Sequence, residues 1–391
     1  MPDMPLLRTH RSTARPPFRR IALVLQGGGA LGSYQAGAYE ALAEAELHPD
    51  WVAGMSIGAI NAALIAGNPP GERVAKLRQF WDEVAGAARA LDCLEALATS
   101  QVDGEAPRST LNQLSALIAT VAGVPGMCTP RLVPPWASWP GSTAATSFYD
   151  TAPLRRTLER LVDFDRINAG GLRFSVGAVN IETGNFVYFD TATHTIGPEH
   201  VMASAALPPG FPAIEVDGEF YWDGGLVSNT PLQWVLEGDA HEDTLAFQVD
   251  LWSARGDMPT SLAEAMTRQK EIQYSSRTRA VTDEFRRKQR LRHAIAALLA
   301  ALPADYRDLP AARDLEPDAD HKVFNIIHLI YHAKRHQGST KDFEFSRLSV
   351  GEHWAIGYQD TVRTLRHPEV TRRPETADGI FTFDVAVDGR E

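Results

Sequence analysis

Cysteine is scarce: Cys93 and Cys128 are the two in 391 residues. Two thiols cannot build a disulfide framework or a cysteine-based zinc site, and they read as small hydrophobes in a reducing compartment. No uninterrupted apolar run approaches the roughly 18–20 residues needed to span a bilayer. An excess of positive charge is also missing. The formal net charge is −11, so general affinity for nucleic acid, which needs a concentrated basic face, is not expected. Arginine does gather at the start, where Arg8, Arg11, Arg15, Arg19 and Arg20 face a single acid, Asp3. No apolar stretch or small-residue cleavage site follows, so residues 1–20 read as a flexible, solvated tail rather than a secretory signal. Contact with an anionic surface is the alternative reading of that tail. The remainder, in a chain 44% hydrophobic and 22% charged, is ordinary globular composition.

The first strong pattern is Ile21-Ala22-Leu23-Val24-Leu25, a short apolar run that stops at Gly27-Gly28-Gly29 and gives way to helical spacing through Leu42. Trp51-Val52-Ala53 repeats the arrangement, reaching Gly54-Met55-Ser56-Ile57-Gly58 and a second small-residue helix through Leu64. Strand, turn and helix, twice in succession, signal an α/β fold with a largely parallel sheet. Residues 70–120 look helical and amphipathic. Residues 123–142 hold five prolines with Met127, Trp136 and Trp139, and read as a long loop that either borders a substrate entrance and touches lipid or is pinned over the core. Further strands are expected at Arg173–Val179, Phe186–Phe189, around Asp217-Gly218 and at Thr244–Leu251. Beyond Ser261 the pattern turns helical, with a capping box from Ser261 to Glu264 and a basic stretch over 268–292 that suits a solvated face. Val323–Tyr331 reads as a strand, and the tail past Pro368 as polar and partly ordered.

Three segments carry candidate chemistry. Gly27-Gly28-Gly29-Ala30-Leu31-Gly32 matches G-x-G-x-x-G between strand and helix, where backbone N–H groups can approach an anion. Alone it also fits a dinucleotide-binding turn, with Asp50 near the position of a ribose-binding acid. Gly54-x-Ser56-x-Gly58 is a nucleophile elbow, whose glycines permit the sharp turn that lifts a serine above a sheet. Asp223-Gly224-Gly225 by itself is an ordinary turn, but its acid follows the serine in order. His328, His332 and His336 would gather on a helix, yet they fall on a strand-like segment, so no metal site is expected. His241, His293 and His328 sit in poor contexts for a catalytic triad.

In combination these blocks resemble the patatin-like phospholipase family. The resemblance rests on LQGGGALGSYQAGAYEAL (25–42), GMSIGAINAAL (54–64) and ASAALPPGFPAIEVDGEFYWDGGLVSNTPL (203–232). It implies a three-layer α/β sandwich with a central, mostly parallel sheet over 21–250. It also implies a mainly helical C-terminal extension over 251–391, whose KDFEFSRLSVGEHWAIGYQD (341–360) looks like that of a bacterial subgroup. Position by position, it makes Ser56 the nucleophile, Asp223 the general base and the amides of Gly27, Gly28 and Gly29 the oxyanion hole. Gly32, Gly54, Gly58, Gly224 and Gly225 complete the motifs. No cofactor or metal is implied. The expected activity is hydrolysis of lipid carboxylic esters through an acyl-enzyme, in the cytoplasm, with peripheral contact to membrane and no nucleic-acid partner. Many relatives carry Arg or Lys where this chain has Leu31, which puts affinity for a charged head group in doubt. A nucleotide-binding protein and a catalytically idle scaffold are the rival readings.

Overall fold

A computed structural model describes residues 9–11, 14–86, 105–238, 242–275, 278–333, 335–375 and 378–384. Its centre is a nine-stranded sheet in the order β11-β10-β9-β1-β2-β5-β8-β7, with β6 on the free edge of β5. β1 (Arg20–Leu25), β2 (Trp51–Gly54), β5 (Arg173–Asn180), β9 (Thr244–Asp250), β10 (Phe324–Ile330) and β11 (Ile380–Asp384) run parallel. β6 (Phe186–Asp190), β7 (Ile214–Val216) and β8 (Glu219–Asp223) are antiparallel additions, and β3 (Thr129–Pro130) with β4 (Tyr149–Asp150) forms a separate ribbon.

The apolar run of β1 is continuous because both faces of the sheet are covered. Ile21, Leu23 and Leu25 enter one core. Ala22 and Val24 enter another with Trp51, Ala53, Phe324 and Ile326. Alternate side chains feeding two cores make the three-layer sandwich. α1 (Ser33–Glu44) and α2 (Ile57–Ala66) follow β1 and β2, and every residue of α2 is buried. α3 (Arg73–Val84), α4 (Glu105–Ala122), α5 (Ala152–Leu161) and α6 (Pro198–Ser204) are the other longer helices of this part of the chain.

The C-terminal region supplies α7 (Leu262–Tyr274), α8 (Thr278–Ala301) and α9 (Arg347–Leu365). α9 lies directly on α1. A Cβ on Gly37 would collide with the Trp354 carbonyl, and one on Gly357 with the Tyr34 carbonyl, so two glycines let the backbones meet. Two details go beyond the sequence reading. Within the tail, expected to be polar and partly ordered, Ile380–Asp384 is a further strand that pairs with β10 in parallel, Phe324 facing Ile380, at the edge of the sheet. The Ser261–Glu264 capping box is half made. Ser261 Oγ accepts the Glu264 N–H, but the Glu264 carboxylate takes the N–H and hydroxyl of Thr260.

Candidate active site

Register places the site. β5 pairs with β2 through Val176 opposite Gly54, and with β8 through Ala178 opposite Asp223. β6 occupies the other edge over Ser175–Val179, so β2 and β8 share one edge of β5, end to end. The chain leaving β2 therefore meets the end of β8, which puts Ser56 beside Asp223. The Ser56 hydroxyl lies near enough to the Asp223 carboxylate to favour its charged form.

The turn holding Ser56 is tight. A Cβ on Gly54 would collide with the Gly58 carbonyl, and one on Gly58 with the Leu25 carbonyl, which is why both positions are glycine. Ser56 itself has φ 55° and ψ −122°, a left-handed conformation that costs a non-glycine residue about 1–3 kcal/mol. Its N–H donates to Ser204 Oγ at 3.3 Å, and it caps the N-terminus of α2, where the helix dipole favours negative charge.

Asp223 is 1% exposed. Burial pushes its carboxyl up to about 7, against the opposing pull of the Ser56 hydroxyl and the Gly225 N–H. The Gly225 N–H donates to Asp223 Oδ1 at 2.7 Å. Gly224 packs against Met55, and Gly32 against Ile57 and Trp81, so these motif glycines admit close packing around the two reactive groups.

The glycine turn corrects one expectation. The Gly27 N–H is not available to an oxyanion, because it donates to the Asn229 carbonyl at 3.2 Å. The next two amides differ. The Gly27 carbonyl accepts from Asn229 Nδ2 at 3.0 Å and from Trp252 Nε1 at 3.0 Å. In a trans peptide the N–H points opposite the carbonyl, so those two donors fix the direction of the Gly28 N–H. The Gly28 carbonyl accepts the Leu31 N–H at 3.2 Å and fixes the Gly29 N–H in the same way. Among the described residues neither amide meets a protein acceptor, and both glycines line the cavity with Ser56. Gly29 has φ 57°, and a Cβ there would collide with the Asp342 carbonyl.

Behind the turn lie residues that local patterning did not reveal. Gln26 is fully buried, and its Oε1 accepts the N–H groups of Leu251 and Trp252 at 2.6 and 2.9 Å. The Tyr274 carbonyl, at the end of α7, accepts from Gln26 Nε2 and Asn229 Nδ2. The Asp342 carbonyl accepts the Ala30 N–H at 2.9 Å, while its carboxylate receives Lys270 Nζ at 2.8 Å on both oxygens. The C-terminal region thus grips the glycine turn directly. A glutamine immediately before three glycines was the one local hint.

Ser56 and Asp223 open on a cavity of 470 Å³. Its walls include Ile60, Met127, Leu207, Phe211, Phe343 and Phe345, and among the described residues no lysine, arginine or histidine belongs to the lining. Leu31, where a cation was sought, is buried in the core. His293 Nε2 contacts the Lys322 carbonyl at 3.0 Å, His328 sits on β10, and His241 lies outside the described residues. His332 follows that strand and His336 falls in the turn Arg335–Thr340, so the three do not share a helical face. Among the described residues no group of acids, histidines and cysteines is arranged to hold a metal ion. Asp50 is remote from the glycine turn. Its carboxylate accepts the Ile21 N–H at 2.7 Å and pairs with Arg15, at the opposite end of β1. That end is about 20 Å away at ~3.3 Å per strand residue, which removes the support for a ribose-binding acid.

The family model for patatin-like phospholipase matches residues 23–235, more than half of the chain. The chain belongs to the patatin-like phospholipase family. A second model, described as patatin phospholipase, matches residues 272–377, so the C-terminal region is also a patatin-associated segment. Lipid acyl hydrolysis is the general activity that membership supports. Among solved structures, VipD from Legionella pneumophila is similar at 15% identity and a TM-score of 0.41, over 93% of this chain and 71% of that one. No curated protein matches the chain.

Proposed function

We propose that this patatin-like protein cleaves carboxylic esters of lipids with Ser56 as nucleophile and Asp223 as general base. A serine hydroxyl is a weak nucleophile until a positioned base takes its proton. The observation that carries the reading is the juxtaposition of Ser56 and Asp223 at the floor of an apolar cavity that has no histidine in its walls among the described residues. Ser56 Oγ attacks the acyl carbonyl while its proton passes to Asp223. The oxyanion lies against the Gly28 and Gly29 N–H groups, at the N-terminus of α2. Collapse expels the lipid alcohol, which takes the proton from Asp223. Water, deprotonated by the same carboxylate, then attacks the acyl-enzyme and releases a fatty acid.

The walls suit the acyl chain rather than the head group. Among the described residues the lining has no basic side chain to hold a phosphate, so the head group stays towards the mouth. Residues 251–391 act in this reading as an extension that shapes the cavity through Tyr274, Phe343 and Phe345. The cytoplasm is the proposed compartment, on the two-cysteine composition. No helix of the described residues is long and apolar enough to cross a membrane.

A fluorophosphonate probe tests the assignment. The native protein should be labelled once per chain and should release fatty acid from phosphatidylcholine and from a short-chain ester. Ser56→Ala should do neither. Equal labelling of the two proteins would remove Ser56 as nucleophile, and a silent native protein on every ester would favour the idle scaffold.

A further inference from the structure

The cavity has a rim of unusual composition. From residue 109 to residue 149 the sequence holds one charged side chain, Arg131, where the chain's 22% average would put about nine. This stretch covers most of α4 and the whole loop to β4. Arg131 is itself engaged, with Nε donating to Ser147 Oγ at 3.1 Å. The segment is not hidden. Trp136 is 80% exposed and Trp139 87%, and Leu117, Val121, Leu132, Val133 and Phe148 are exposed with them. Burying Met127 in the cavity wall leaves the two tryptophans as the outward part of this loop.

The exposed segment is joined to the catalytic cavity by hydrogen bonds. The Phe148 N–H donates to the Pro209 carbonyl at 3.1 Å and the Tyr149 N–H to the Gly210 carbonyl at 3.0 Å. Tyr149 Oη donates to the Thr120 carbonyl at 2.5 Å. Thr120, Tyr149, Pro209 and Gly210 all line the cavity, as does Phe343, itself exposed. Isolated surface hydrophobes are ordinary. A contiguous charge-poor set at a cavity mouth marks an interaction surface, and tryptophan suits the boundary between water and hydrocarbon.

We propose that residues 109–149 dock the mouth of the cavity onto a lipid surface, with Trp136, Trp139 and Leu132 entering the interfacial layer. This rests on the lipid-ester reading above and supplies its missing step, because a lipid can then pass from the membrane to Ser56 without crossing water. The surface selects by apolar contact and not by charge. Five cations of the basic stretch of α7 and α8, Lys270, Arg286, Arg287, Lys288 and Arg290, are already paired with Asp342, Asp283, Glu284, Glu237 and Asp378.

The test uses the full chain and vesicles of phosphatidylcholine alone, in low salt and in 1 M NaCl. The Ser56→Ala protein should co-float with the vesicles as the native protein does, and salt should not release it. Trp136→Ser with Trp139→Ser should lower partitioning by about tenfold or more, from the apolar area withdrawn. The same double variant should hydrolyse a monomeric short-chain ester at the native rate and lose activity on vesicle lipid. Leu132→Glu, at a fully exposed position, should weaken partitioning without affecting folding. Native-like flotation of both variants would overturn the proposal, as would binding that 1 M NaCl abolishes. Sedimentation as a dimer that the tryptophan substitutions dissociate, with no vesicle binding, would assign the surface to a second copy of the chain. Loss of short-chain hydrolysis in the native protein would instead indict the active-site reading, leaving the flotation result to stand by itself.

Discussion

The floor and the rim of the cavity are built on opposite principles. At the floor nearly every polar group is held: the Gln26 side chain makes four hydrogen bonds, Asn229 ties two carbonyls, and Asp223 is buried against Ser56 and Gly225. At the rim large apolar side chains stand in water, supported by a few backbone contacts. A preorganised polar floor holds reacting atoms in place and needs no reorganisation during the reaction. An apolar rim has no such duty, and its exposure is tolerable only if something else covers it. The difference assigns chemistry to one and delivery to the other, and each substitution below asks whether that separation is real.

The largest effect belongs to the dyad. Asp223→Asn keeps the size of the side chain and removes its charge, so kcat on a monomeric ester should fall by about 10³–10⁴-fold, in the upper range for general-base loss. The pH dependence sharpens the point. With the Asp223 carboxyl at about 7, native activity should rise about tenfold per unit below that pH and level off above it. Such a limb would ordinarily be credited to histidine, so it should survive His293→Gln and His328→Gln unchanged. Stability should move in the opposite direction. Native Asp223 holds its proton more tightly than an unfolded aspartate, so stability is lost as pH rises from about 4 to about 7. Asp223→Asn should lack that part of the decline, which melting temperatures at pH 5 and pH 8 will show. Parallel melting curves for the two proteins across this range would mean that the carboxyl is ordinary.

Next come the groups that aim the glycine amides. Trp252→Phe removes a donor to the Gly27 carbonyl while keeping an aromatic ring, and Asn229→Ala removes the other together with its link to Tyr274. The pair should lower kcat by about 10- to 100-fold with KM little changed, a fraction of the ~10²–10³ attributed to one lost oxyanion donor. A rise in KM at constant kcat would make these residues part of the substrate's wall instead.

A smaller effect is expected at the grip on the turn's far side. Lys270→Met leaves the largely buried Asp342 carboxylate without this partner, and should cost about 1–3 kcal/mol of stability, below the range for a fully buried pair because Lys270 is partly exposed. Adding Asp342→Asn should restore most of it. Failure of the second change to rescue the first would show that the lysine packs on Phe343 rather than neutralising the acid.

What the sequence revealed and what it hid follow the same division between local and distant. The elbow and its two strands were legible because their signals are local: apolar runs, glycines that a tight turn demands, and a serine between strand and helix. The number of usable amides was not. Three consecutive glycines suggest three donors, and only the fold brings the Asn229 carbonyl, about 200 residues away, onto the first. Tyr274 and Asp342 are hidden for the same reason, since neither carries a mark of the turn it holds. β11 was missed because a parallel strand is defined by its partner, and Ile-Phe-Thr-Phe-Asp in a polar tail says little without β10 beside it. On α8, Leu291 and Leu298 are spaced to share one helical face, yet they are exposed while Ala296 is buried. Spacing identifies a face but not what lies opposite.

The smallest expected effect separates floor from rim most cleanly. Trp136 and Trp139 bury little of their surface, and Trp136 has Phe148 as an edge-on neighbour at 6.5 Å between ring centroids. Removing either ring therefore withdraws almost no apolar area from the folded interior, and no buried polar atom loses a partner. Surface changes of this kind usually stay within about 0.5 kcal/mol. Trp136→Ser and Trp139→Ser should accordingly unfold in urea at the native midpoint with the native slope. Gly54→Ala provides the contrast from the floor, because its added methyl must displace the Gly58 carbonyl and with it the start of α2. If the rim variants shift the midpoint as the floor variant does, these tryptophans are packing the protein rather than facing a membrane. The separation of delivery from chemistry would then fail at its delivery end, with the dyad untouched.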